Sequence, residues 1–164
     1  MRIEPWGPED GPLLERLLGD ATMTRYLGGP ETPEKIAERQ ARYERDPRQF
    51  RIVDGESGEP AGSVGYWERT AGDRTVFEIG WAVVPAFQGR GLASAATAHA
   101  LERAREERLH RYVHAYPSVE NGPSNAICRK LGFALLEEQR YEYPPGSGNV
   151  MVCNDWRFDL FAGS

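Results

Sequence analysis

Two features of the chain carry residue types that can do chemistry. The first is Gln88-Gly89-Arg90-Gly91-Leu92-Ala93-Ser94. It lies where an apolar run ending at Val84 gives way to an alanine-rich stretch. Backbone N–H groups at a helix start have no partner within the helix, and the helix dipole adds partial positive charge there. Gly89 and Gly91 remove side chains, so a pyrophosphate can come close to the backbone. The loop lacks the Lys of G-x-x-x-x-G-K-[ST] and does not fit G-x-G-x-x-G. Glycine pairs also occur in plain strand–helix turns, and spacing alone does not separate the two readings. The second feature is Glu78, the only acid within Val76–Val84. A carboxylate isolated in so apolar a strand is of the kind that serves as a general base. The bland use of the same residue is an ion pair with a basic side chain on the next strand.

The elements that must position these residues are legible on both sides. Val76–Val84 is almost apolar on both faces, which predicts a central strand covered on both sides, and Pro85 closes it. Leu92 to about Glu107 reads as a helix whose Ala93, Ala96, Ala100 and Ala104 form a small-residue stripe facing a sheet. Arg2–Trp6 predicts a first strand. Pro12 opens a helix whose apolar face is Leu13, Leu14, Leu17 and Leu18. Thr32-Pro33-Glu34 starts a second helix that runs to about Glu44. Phe50–Val53 and Ala61–Trp67 read as strands joined by Asp54-Gly55-Glu56-Ser57-Gly58. A second turn falls within Thr70–Arg74. Arg111–Tyr116 is the next strand and Asn125–Leu131 a short helix, with Gly132 in the left-handed position after it. Ala134–Tyr143 and Val150–Leu160 close the fold through Pro144–Gly148. Early helices, then antiparallel strands, then one strand–helix–strand crossover make a mixed α+β sheet.

These segments resemble one family. Gln88-Gly89-Arg90-Gly91-Leu92-Ala93 is similar to the Q/R-x-x-G-x-G/A loop of the GCN5-related N-acetyltransferases. Glu78-Ile79-Gly80-Trp81-Ala82-Val83 resembles the strand before that loop. Asn121 to Phe133, ending in Gly132-Phe133, resembles the family's second cofactor segment. Thr24-Arg25-Tyr26-Leu27 together with Glu78-Ile79-Gly80-Trp81 looks most like the branch containing the ribosomal-protein N-terminal acetyltransferases. The resemblance implies a splayed sheet of about seven strands flanked by about four helices, formed by residues 1–164 as one domain. It implies acetyl-CoA as cosubstrate, with Val83 offering backbone hydrogen bonds to the pantetheine arm. Gln88, Gly89, Arg90, Gly91, Leu92, Ala93 and Ser94 would wrap the pyrophosphate, and Asn121 and Ser124 would meet the cofactor from the second segment. The implied reaction is acetyl transfer to a primary amine by direct attack on the thioester, with Glu78 as base, directly or through water. A non-catalytic acyl-CoA sensor is the alternative.

The resemblance also brings a departure. Many relatives carry a Tyr four residues before the Gly of Gly-Phe, where it protonates the leaving thiolate; here the position is Cys128. As a donor Cys128 is a weak substitute, and its bland reading is a small apolar residue under its helix. Ser124 can hydrogen-bond the sulfur, and Tyr116 is a third candidate. Gly80 fits close approach of a ligand, a bulge or tight packing. Asn154-Asp155-Trp156 either shapes an acceptor pocket or is structural.

Composition excludes more than it assigns. The 164 residues carry a net charge of −5 with 40% hydrophobic and 27% charged side chains, ordinary for a soluble domain. No basic footprint points to nucleic acid, and no run approaches a membrane span of about 20 residues. The start lacks the apolar stretch of a signal peptide, which places the expectation in the cytoplasm. Cys128 and Cys153 have no C-x-x-C spacing, and His99, His110 and His114 no H-E-x-x-H, so no metal is expected. The acceptor is left as a small-molecule or peptide amine, with an oligomer possible.

Overall fold

The computed structural model describes residues 1–142 and 146–163. The chain runs β1 (Arg2–Pro5), α1 (Gly11–Leu18), α2 (Pro33–Tyr43), β2 (Gln49–Val53), β3 (Pro60–Ala71) and β4 (Arg74–Val83). It continues through α3 (Leu92–Glu107), β5 (Tyr112–Ala115), α4 (Gly122–Leu131), β6 (Ala134–Glu142) and β7 (Val150–Asp159). The strands form one seven-stranded sheet in the order β1-β2-β3-β4-β5-β7-β6. Among the described residues only the β4–β5 pair is parallel; the others are antiparallel. This is the expected mixed sheet with four helices. Of the expected closing turn, Pro144 and Pro145 lie outside the described residues, as does Tyr143 at the expected end of β6.

Local chemistry accounts for most boundaries. The Thr32 hydroxyl accepts from Lys35 N–H at 3.3 Å, with Pro33 at the first turn of α2. Helix α4 begins at Gly122 rather than at the expected Asn125, because Asn121 caps it through Ser124 N–H at 3.2 Å. The β3–β4 hairpin is longer than expected. Its ladder runs to Ala71↔Arg74, so Gly72 and Asp73 form the turn, with Gly72 at φ 67°. The strand expected to end at Trp67 runs on through Glu68, Arg69 and Thr70, the polar end of β3.

Helix α3 covers one face of the sheet. Ala96, Ala100 and Ala104 are fully buried against strand side chains that include Phe77, Ile79 and Val113, and Tyr66 O–H donates to Glu107 of α3. Small residues let the helix lie close, as the stripe predicted. Helix α2 lies over the other face, held in part by Trp6 Nε1–H to Gln40 Oε1 at 2.8 Å. The expectation that β4 is covered on both faces is corrected. Phe77, Ile79 and Val83 are buried, but Glu78, Gly80 and Ala82 are only half-buried, because their face opens onto a cavity.

Candidate active site

The site begins with the two strands that part. The β4–β5 ladder consists of Phe77↔Val113 and Glu78↔His114 alone. Past Glu78, β4 stays with β3 as far as Val83, while β5 turns to β7. Val84 N–H donates to Ala61 O at 2.9 Å, which directs that residue's backbone toward β3. By the alternation of an antiparallel ladder, Val83, Trp81 and Ile79 turn their backbone groups toward the gap. The gap is thus edged by donors and acceptors that no strand occupies.

At the end of β4 the loop leads into α3. Gly89 and Gly91 both have φ of 77°, and a Cβ on either would meet nothing within 4 Å. Glycine is required there for the backbone conformation, and the space in front of it is open. Gly91 is the N-cap of α3 and supplies no side chain to it. The first bond of the helix is Ala95 N–H to Gly91 O at 3.1 Å, so the N–H groups of Leu92, Ala93 and Ser94 precede the helical ladder. Arg90 is exposed beside them, its guanidinium 5.3 Å from the Phe87 ring centroid. Gln88 behaves differently from the rest of the loop. Its Nε2 donates to Val83 O at 2.9 Å, so one of the backbone groups predicted to face a cofactor already holds a protein partner.

A cavity of about 450 Å³ lies along the gap. Glu78, Gly80 and Trp81 line it from β4, Tyr116, Asn121 and Ser124 from the β5–α4 side, and Tyr26, Leu27, Glu31 and Arg39 from the first two helices and their connection. Trp81 Nε1 is a buried donor with no partner among the described residues. A more open depression of about 670 Å³ on the far side of the loop touches only Arg90 of the predicted site residues and lies away from Glu78; volume does not decide between the two, chemistry does. Of the predicted residues, then, Glu78, Asn121 and Ser124 meet at the cavity, Val83 edges the gap, and Gln88 to Ser94 follow β4 in the chain without lining the cavity.

Glu78 is not solitary. Arg69 Nη1 donates to its Oε1 at 2.5 Å, and the carboxylate side chain is 19% exposed. Arg69 also lies 4.2 Å from the Tyr116 ring centroid. Arg69 was not singled out in the sequence, where it lies between the strand read as ending at Trp67 and the turn read from Thr70. Tyr116 stacks on His114 at 5.8 Å, and His114 Nδ1 and Asp155 Oδ1 are 2.6 Å apart in a buried pair. Burial pushes the Tyr116 phenol up to about 12, so it stays protonated at neutral pH and can donate. Cys128 is elsewhere: it is fully buried in the core, and burial pushes its thiol up to about 12. Asn154 and Trp156 are structural. Asn125 Oδ1 accepts from both, at 2.9 and 2.8 Å, while its Nδ2 donates to Ser118 O and Asn121 O.

The comparisons decide the family. A model of the acetyltransferase (GNAT) domain matches residues 1–134. The chain belongs to the GNAT acetyltransferases. No protein of curated function matches it. Among solved structures, a GNAT-family acetyltransferase from Bacillus anthracis superposes with a TM-score of 0.79 at 19% identity, covering 96% of this chain and 93% of that one. A putative acetyltransferase from Salmonella typhimurium, solved with its cofactor acetyl-CoA, gives 0.78 at 20% identity over 100% and 96%. A ribosomal-protein-alanine N-acetyltransferase from Brucella melitensis gives 0.76 at 18% over 97% and 99%. This GNAT chain is an acetyl-CoA-dependent acyltransferase, and a non-catalytic sensor is not favoured. Its residues fit that cosubstrate: an open glycine cradle at unbonded helix N–H groups, a backbone edge of β4 that no strand pairs past Glu78, and the orphaned indole N–H of Trp81. No helix among the described residues is long and apolar enough to cross a membrane.

Proposed function

We propose that the protein acetylates a primary amine that sits in the cavity above Glu78 and attacks the thioester directly. The observation that carries this reading is the continuity of the site. A half-buried carboxylate and the open mouth of the sheet border one cavity of about 450 Å³. Acetyl-CoA supplies the thioester, whose C–S bond breaks as the amide C–N bond forms. Gly89, Arg90, Gly91, Leu92, Ala93 and Ser94 hold its pyrophosphate at the start of α3, with Gln88 bracing the loop against Val83. Val83 N–H and Trp81 offer the arm their backbone edge, and Ser124 closes over it from α4, whose start Asn121 caps.

Glu78 attracts the ammonium form of the acceptor and takes the proton that must leave before attack, directly or through water. Its Oε1 is held by Arg69, which fixes the carboxylate while Oε2 has no protein donor among the described residues. Tyr116 and Ser124 are hydroxyls on the wall, and either can donate to the departing sulfur. A thiolate is a tolerable leaving group near neutral pH, so that help is supportive.

The test is thiol release from acetyl-CoA over a mixed panel of peptide N-termini, polyamines and amino sugars. Amine-dependent release with a matching acetylamide product supports the reading. Tight acetyl-CoA binding with no acceptor-dependent release across the panel would refute it.

A further inference from the structure

Strand β6 is outermost in the sheet, and its outer edge has no neighbour among the described residues. From Ala134 to Glu142 every residue is exposed except the half-buried Gln139. Leu135, Leu136 and Tyr141 are 54%, 43% and 42% exposed, and Val150 of β7 is 57% exposed. Native folds usually blunt such an edge with short length, charged side chains, proline or bulges, and β6 carries Glu137, Glu138, Arg140 and Glu142. Here the only register shift lies between Leu135 and Glu137, and Glu137 to Glu142 run on regularly with no proline.

Backbone direction determines what can pair with that edge. Asn154 N–H donates to Pro117 O at 2.9 Å, and Val119 N–H donates to Val152 O at 3.0 Å. Val152 and Asn154 therefore turn their backbone groups away from β6. Their register partners, Arg140 and Glu138, correspondingly turn theirs to the free outer edge. A second copy related by a two-fold axis must set outward-turned residues against outward-turned residues. Three registers do so near the middle of the regular segment. Centred on Glu138, that glutamate opposes its own copy. Centred on Arg140, two arginines oppose each other. Centred on Gln139, Glu138 opposes Arg140 of the second copy, and the contact occurs twice. Opposite charges directly across an antiparallel pair stabilise it and like charges destabilise it. Neither Glu138 nor Arg140 has an ion-pair partner among the described residues.

We propose that β6 pairs antiparallel with β6 of a second copy of this chain, in the register centred on Gln139, joining two sheets into one. In that register Tyr141, part of the cavity wall, stands on the same face as Glu137 of the second copy and directly opposite it. The interface thus borders the cavity of each copy. The pairing is independent of the acceptor chemistry, because it is read without any activity measurement.

Sedimentation equilibrium on the full chain tests it. Wild type associates to a dimer. Glu138→Arg sets arginines opposite each other and weakens the dimer by at least about tenfold, while Glu138→Arg combined with Arg140→Glu restores it to within about threefold. Gln139→Cys crosslinks across the axis on mild oxidation, since directly opposed residues in such a pair fall within disulfide reach; Arg140→Cys does not. Both native cysteines are buried and do not compete. A monomer at about 100 μM, a dimer indifferent to Glu138→Arg, or a charge swap that fails to restore association in a folded protein would overturn the proposal.

Discussion

The gap between β4 and β5 has two banks, each a strand that leads through a loop into a helix. On the first, β4 ends at Val83, the loop after it carries Gly89 and Gly91, and α3 starts with no side-chain cap. On the second, β5 leads to Asn121, whose Oδ1 takes up the Ser124 N–H, while Asn125 uses both its donors and both acceptor positions on neighbouring chain. The first bank leaves its polar groups for something outside the protein. The second satisfies its own. Glycine accomplishes the first by removing side chains, and asparagine the second by imitating backbone. The expectation is that chemistry and anion binding concentrate on the first bank, and that the second acts as scaffold, contributing surface and hydroxyls.

The largest effect expected is at Glu78. Glu78→Gln keeps size and hydrogen bonding but removes the charge. It lowers kcat by about 10²-fold while the Kd for acetyl-CoA, from calorimetric titration, is unchanged. If Glu78 served only to hold Arg69, the variant would lose stability and keep its pH–rate profile; that outcome removes it as the base.

Next comes the glycine bank. At φ 77° a branched side chain strains the backbone at the N-cap of α3. Gly91→Val is expected to weaken acetyl-CoA binding by at least tenfold, roughly 1.4 kcal/mol. The matching substitution on the other bank is Gly122→Ala, whose added Cβ meets nothing and whose φ is not positive. It should leave the affinity within about twofold. Equal effects at the two glycines would erase the distinction between the banks.

Asn121 sharpens the comparison from the other direction. Losing its cap costs about 1 kcal/mol, a fall in Tm of roughly 2–4 °C for a chain of this size, with acetyl-CoA affinity changed by less than about threefold. A tenfold affinity loss with an unchanged Tm would move Asn121 from scaffold to ligand contact.

How much of this was legible in the sequence depended on whether the signal was local. Thr32-Pro33 marked the start of α2 because a cap and a first-turn proline act within three residues. The alanine stripe of α3 and the glycine loop were readable for the same reason. An ion pair of Glu78 with a basic side chain on a neighbouring strand was the bland expectation, and it is present; that the partner is Arg69 was not legible, because it depends on a hairpin register set by Gly72 and Asp73, in a stretch that read as a wider turn. Asn125 went unnoticed because a buried asparagine that completes its own hydrogen bonds looks like any other polar residue in a helix. The His114–Asp155 pair joins two strands distant in sequence and has no local signature. The cap at Asn121 could have been read from Asn-Gly-Pro, where the proline fits an early helical position as well as a turn.

Cys128 tests the second bank at its most buried point. The thiol stands at the position where the family resemblance implies a thiolate-protonating tyrosine, yet it is fully buried and does not line the cavity. Cys128→Ala should keep at least about a tenth of wild-type kcat, a loss within 1.4 kcal/mol. A several-hundredfold fall in a folded variant, or an acetyl adduct on Cys128 by mass spectrometry, would place the thiol in the chemistry. The pH dependence of stability gives a second reading. Burial holds the folded thiol up at about 12, above its ordinary value of 9.0. The folded chain therefore binds this proton more tightly than the unfolded chain, and the stabilisation is complete below about pH 9. Above that the unfolded thiol ionises while the folded one does not, so the contribution falls away as pH rises through about 12. Urea midpoints between about pH 9 and 11 should drop less steeply for Cys128→Ala than for wild type. Tyr116, raised to about 12 from 10.0 for the same reason, and Tyr66 and Tyr141, whose phenols burial also pushes up, remain in both proteins and supply the residual slope. Parallel alkaline slopes would show that the thiol ionises as freely in the folded chain as in the unfolded one, and that the second bank is open to solvent at its centre.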